Sequence, residues 1–90
     1  MPRLTDDQAR ERAAALDGWE LAGTAIRKQY KHADFKSAMA FVNRVAALAE
    51  EADHHPDILI EYDKVTLTLT SHDSGGLTER DFRLARKIDG

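Results

Sequence analysis

Apolar residues recur at three- and four-residue spacing in three stretches of this chain and alternate with polar ones between them. Phe35, Ala38, Met39, Val42, Val45, Ala46 and Ala49 form the longest stripe, widened by Phe41 and Leu48. With Asp34 as N-cap, this spacing predicts a helix over 35–53. A narrower stripe of Ala9, Ala13 and Leu16 follows Thr5 and Gln8, which form a capping box. It predicts a helix over 6–16, stopped by Asp17-Gly18. Thr78 and Asp81 repeat the box, Leu77 is placed to staple onto Phe82, and Phe82, Ala85 and Ile88 carry a last helix to about 88. Val65, Leu67 and Leu69 alternate with Thr66, Thr68 and Thr70, the mark of a strand with one buried face and one polar face. Ile58–Tyr62 precedes it as a hairpin partner, with a turn at Asp63-Lys64. Trp19–Ala22 and Ala25–Lys31 form a second hairpin around Gly23, with Trp19 in the core.

The resulting order, α-β-β-α-β-β-α, predicts an α+β domain over 1–90: three helices on one face of a four-stranded antiparallel sheet. Ninety residues bury only a modest core, and the 35–53 helix is apolar over a broad arc. Both favour a homo-oligomer, with that helix facing the sheet on one side and a second subunit on the other. A well-buried helix in a monomer is the competing reading. The chain has no cysteine, which excludes disulfides, thiolate catalysis and cysteine-based zinc sites. Its formal net charge is −3 with no basic block, against a nucleic-acid footprint. No apolar run reaches membrane-span length, and the first residues lack the apolar core of a signal peptide, so a cytoplasmic protein is expected.

The stretch Glu50-Glu51-Ala52-Asp53-His54-His55-Pro56 stands apart. Pro56 disfavours helical geometry at His55, so two adjacent histidines fall where the long helix stops. A two-residue turn at Asp63-Lys64 pairs Tyr62 with Val65, Ile60 with Leu67 and Ile58 with Leu69. Extended further, the same register sets His55 opposite His72, about 5 Å apart at Cβ, on the polar face that Thr66, Thr68 and Thr70 share. His54 falls at the corner. Imidazole titrates near neutrality, so three converging histidines point to proton transfer or metal binding. Asp53 nearby gives metal a case, but no His-Glu-x-x-His or comparable ligand spacing is present. Glu50 and Asp53 oppose the helix dipole in the last turn, which favours a local role such as orienting a histidine or holding a ligand N–H. His32 reads as a surface residue, and Asp81 has a sufficient task as a cap partner.

Glu50, then His54-His55-Pro56, then Tyr62, His72 and Asp81, at these spacings, resembles the signature of the pterin-4a-carbinolamine dehydratases. Leu4-Thr5, Trp19, Asp34-Phe35, Ala38, Phe41, Arg44-Val45, Lys64-Val65 and Leu77-Thr78-Glu79-Arg80-Asp81 extend the resemblance over nearly the whole chain. It implies dehydration of a 4a-hydroxytetrahydropterin to quinonoid dihydropterin, recycling the pterin of aromatic amino acid hydroxylases with no metal or organic cofactor. It implies a homodimer or homotetramer. By resemblance His54, His55 and His72 contact the pterin: His54 and His72 as acid/base groups, His55 mainly binding. Glu50, Asp53, Thr70, Ser71, Asp73 and Asp81 are the implied substrate-binding residues. The competing class is a dimeric interaction scaffold or transcriptional dimerisation cofactor with a secondary pterin pocket, since some animal members bind a homeodomain transcription factor.

Overall fold

Side-chain clasps start the helices where the polar pattern places them. In the computed structural model, which describes residues 2–90, Thr5 and Gln8 cap helix α1 (Asp6–Ala14) reciprocally. Asp34 accepts from the Ser37 N–H, 2.8 Å away, at the start of α2 (Phe35–Ala52). Thr78 and Asp81 box α3 (Glu79–Asp89). The strands are β1 (Glu20–Ala22), β2 (Ala25–Lys31), β3 (Asp57–Glu61) and β4 (Lys64–Leu69). They form one antiparallel sheet in the order β1-β2-β4-β3. Helix α1 ends two residues before Leu16, because the Leu16 N–H reaches back three residues to Ala13 and tightens the last turn.

β2 and β4 are central, and the alternation in β4 resolves as expected: Val65, Leu67 and Leu69 are fully buried. They meet Ile26 from β2, Ala38 and Val45 from α2, and Phe82, Leu84, Ala85 and Ile88 from α3 in one core, with Ala9, Ala13 and Trp19 at its end. All three helices thus cover the same sheet face. The broad stripe of α2 divides. Ala38, Val45 and Ala49 are buried, Phe41, Val42 and Leu48 half-buried, whereas Phe35 is 50% exposed and Ala46 lies outside the core. Edge strand β3 also stays partly uncovered, with Leu59 55% and Ile60 37% exposed. His32 is half-buried, contrary to a surface position. It shares strand parity with Tyr30, so its ring stacks on Phe41 at 4.9 Å, and its buried Nε2 has no hydrogen-bond partner.

The β3–β4 register differs from the expected one. The turn is Tyr62-Asp63, so Glu61 pairs with Lys64, Ile60 with Val65 and Ile58 with Leu67. Asp63 decides this. Its carbonyl accepts from the His32 N–H at 2.7 Å and its carboxylate from Lys31 Nζ at 3.1 Å, which docks the turn onto the end of β2. Tyr62 takes a left-handed conformation, φ 56°, to allow it. The one-residue move of the turn slides the register by two, which keeps every side chain on its expected face.

Candidate active site

The end of α2 is built to deliver His54. Asp53 is left-handed, φ 50° and ψ 45°. Its N–H bonds the Glu50 carbonyl at 3.2 Å while the His54 N–H bonds that of Ala49 at 3.1 Å. This is the two-bond Schellman closure, with aspartate where glycine is usual. The chain turns sharply there, and Pro56 carries His55 away extended.

His54 turns inward and His55 outward. His54 Nε2 lies 2.5 Å from Asp81 Oδ1, with the two side chains only 9% and 0% exposed. The other oxygen of Asp81 accepts from Ser71 Oγ at 2.9 Å and from the Thr78 N–H at 3.0 Å. Ser71 Oγ is also 2.9 Å from Thr78 Oγ1. Oδ2 of Asp81 is therefore occupied as an acceptor. An ionised carboxylate can only accept, so facing one the neutral His54 ring carries its proton on Nε2, which leaves Nδ1 as the basic nitrogen. His55 Nε2 lies at the same 2.5 Å from Glu50 Oε2, but that pair is exposed.

His72 comes from a closed loop. After β4, Ser71 bridges to Gly76. The Ser74 and Gly76 N–H groups both reach the Ser71 carbonyl, at 3.0 and 3.3 Å, around a 3₁₀ turn over His72–Ser74. Gly75, φ 75°, ends that turn. β3–β4 pairing stops at Asp57 and Thr68, so His55 does not oppose His72 across a ladder. The pocket consequently lies at the end of the sheet rather than on its open face, with α2, α3 and the loop after β4 all contributing. Asp53, His54 and His55 line one side of a hollow of about 300 Å³, and Thr70, Ser71, His72 and Asp73 line the other.

Of the expected site residues, seven line this hollow. Glu50 reaches it through His55. Asp81 has no exposed surface and so no face for a ligand; it braces His54 from beneath. Thr70 Oγ1 donates to the Thr24 carbonyl at 2.6 Å, which fixes its rotamer. The sequence reading missed Arg80. Its guanidinium lines the hollow, donates to the Asp53 carbonyl at 2.8 Å and lies 3.6 Å from the Asp73 carboxylate. The available signal was its place beside Asp81 in the first turn of α3. A larger hollow, about 380 Å³, lies over Arg27, Gln29, Leu59 and Thr66 on the open sheet face. It holds no histidine, so the smaller hollow is the one equipped for proton transfer. Among the described residues no three His, Asp or Glu side chains converge as a metal-binding group.

A model of the family described as Pterin 4 alpha carbinolamine dehydratase matches residues 2–90. A protein of Thermomicrobium roseum, provisionally named a pterin-4-alpha-carbinolamine dehydratase, is 53% identical over 98% of this chain and 95% of its own. A protein of a Roseiflexus species with the same provisional name is 55% identical over 97% and 94%. Among solved structures, a transcriptional coactivator/pterin dehydratase from Brucella melitensis superposes with TM-score 0.92 at 39% identity, covering 97% of this chain and 95% of that one. A pterin dehydratase-like RuBisCO assembly factor of the alpha-carboxysome superposes with TM-score 0.66 at 25% identity over 79% and 82%.

Proposed function

The chain belongs to the pterin 4 alpha carbinolamine dehydratase family and is a hydro-lyase, and on that premise we propose that it eliminates water from 4a-hydroxytetrahydropterins by histidine acid/base catalysis, returning quinonoid dihydropterin to the cycle of an aromatic amino acid hydroxylase. The observation that carries the proposal is the convergence of His54, His55 and His72, from two distant segments, on one hollow.

The reaction breaks the C4a–O bond and forms C4a=N5. The departing hydroxyl needs a proton, and N5 must lose one. His54 and His72 divide these two transfers, each worth about 10²–10⁴-fold. Asp81 acts on His54 as a positioning residue: it orients the ring and leaves Nδ1 to exchange the proton. Ser71 and Thr78 hold Asp81 in turn. His55, biased by Glu50, binds the pterin, and Asp53 and Asp73 offer acceptors to its ring N–H groups. No step requires a metal or organic cofactor.

A homo-oligomer, dimer or tetramer, is part of the same proposal. Uncovered Phe35, Leu59, Ile60 and Tyr62 and the free edge of β3 support it. Among the described residues no helix is long and apolar enough to cross a membrane; we place the enzyme in the cytoplasm. The coactivator and assembly-factor names of its structural neighbours favour one second reading, a scaffold role alongside catalysis.

The deciding experiment is a dehydratase assay on a synthetic 4a-carbinolamine, with and without chelator. Water loss faster than the spontaneous rate and indifferent to chelator is expected. A rate equal to the spontaneous one, with a protein partner still captured after all three histidines are replaced, would shift the balance to the scaffold.

A further inference from the structure

We propose that the pterin taken by this pocket carries an anionic side chain, and that the charge is seated in the groove between α2 and α3. The inference rests on the pterin reading above and narrows its substrate class.

A second hollow, about 120 Å³, adjoins the histidine pocket and shares His54 and Arg80 with it. Ala52 and Leu84 supply its apolar part, and Arg83 and Lys87 complete its wall. Arg80, Arg83 and Lys87 stand three and four residues apart on α3, so they form one stripe along the groove. On a chain of net charge −3, three cations here run against the overall balance.

Their neutralisation is slight. Asp73 is 3.6 Å from Arg80 and Glu51 is 4.0 Å from Lys87, with carboxylates 71% and 73% exposed; such pairs are weak. Arg83 has no carboxylate within 4.0 Å among the described residues. The hollow, about 120 Å³, has room for a small tetrahedral or planar anion. Guanidinium forks match phosphate and carboxylate geometry. A neutral hydroxyalkyl side chain would leave Arg83 without a charged partner and Arg80 and Lys87 with only their weak, exposed ones. The shared chemistry is thus an anionic tail, either a phosphate ester or the carboxylates of a glutamyl group.

Calorimetric titration of the full chain with three 7,8-dihydropterins tests this. One carries a neutral trihydroxypropyl side chain, one the same chain as its terminal phosphate monoester, and one a glutamate-bearing tail. At low salt at least one anionic ligand should bind about tenfold more tightly than the neutral one, and the advantage should shrink as salt screens it. The one that gains identifies the tail. The double variant Arg83→Ser, Lys87→Ser, both on the exposed side of α3, should erase the difference between charged and neutral ligands. Equal affinities for all three, or an advantage that survives the double variant, would overturn the inference and leave the pterin reading standing. Failure of all three to bind would overturn both.

Discussion

Two histidine–carboxylate pairs in this molecule have the same separation, 2.5 Å, and opposite surroundings. His54–Asp81 is sealed under the start of α3; His55–Glu50 stands in solvent, its side chains 56% and 77% exposed. Water screens the exposed pair and leaves it mobile, so it biases a ring without fixing it. In the interior the attraction is stronger, and so is the penalty for leaving either partner alone. Equal bond lengths therefore mark one ring held in place and one held only loosely. Burial, not distance, separates the two pairs.

The contrast should be largest in stability. His54→Ala leaves the Asp81 carboxylate buried and without its ring partner, and should cost about 3–5 kcal/mol in urea unfolding. His55→Ala should stay within about 1 kcal/mol. Similar losses for the two would break the comparison.

In kinetics, His54→Gln, which keeps a donor for Asp81, and His72→Ala should each lower kcat roughly 10–10³-fold after the spontaneous rate is subtracted. His55→Ala should chiefly raise KM, as expected for lost uniform binding. The reverse pattern, with kcat most sensitive at His55, would reassign the proton transfers to the exposed pair.

The hinge between the pairs is Asp53. Asp53→Gly relieves a left-handed non-glycine residue and should stabilise the fold by about 1 kcal/mol, while weakening pterin binding through loss of the carboxylate. Unchanged stability would show that the Schellman turn carries no strain, and unchanged affinity that Asp53 does not touch the ligand.

The smallest effect is expected at the far end of α3, where Asp89 accepts from Trp19 Nε1 at 2.9 Å, Lys28 Nζ at 3.0 Å and Tyr30 Oη at 2.5 Å. Burial and the Asp89 bond push the Tyr30 hydroxyl well above its ordinary value of 10.0. Burial raises Asp89, but the bonds from Tyr30, Lys28 and Trp19 outweigh it and hold the carboxyl below its ordinary 3.8. A raised folded value binds extra protons, so the Tyr30 contribution is full below pH 10.0 and declines as pH rises further. The depressed Asp89 value contributes fully above pH 3.8 and is lost as pH falls. Thermal unfolding of Tyr30→Phe should lose the alkaline decline and keep the acid one. An unaltered alkaline limb would place the titration elsewhere.

Much of this protein was written in local pattern. Capping side chains, the threonine alternation of β4 and the apolar stripes set three helices, four strands and their order, because those choices depend on neighbours within a few residues. The corner at Pro56 was equally local. Face parity survived even a wrong turn, since a slip of two residues turns nothing over. The family resemblance, carried by residues such as Glu50, His54, His55, His72 and Asp81 and extended over nearly the whole chain, rested on residue identity and spacing. Only tertiary structure decided the rest. Asp63 docking on β2 chose the turn at Tyr62-Asp63, and α2 left Phe35 and Ala46 outside the core. The closed loop at Ser71–Gly76 took His72 off its strand and set it near His54. Asp81 keeps its place as cap partner and also braces a buried imidazole, because α3 packs beneath the end of α2. A pairwise spacing cannot encode that, since burial belongs to the assembled layers and not to the chain.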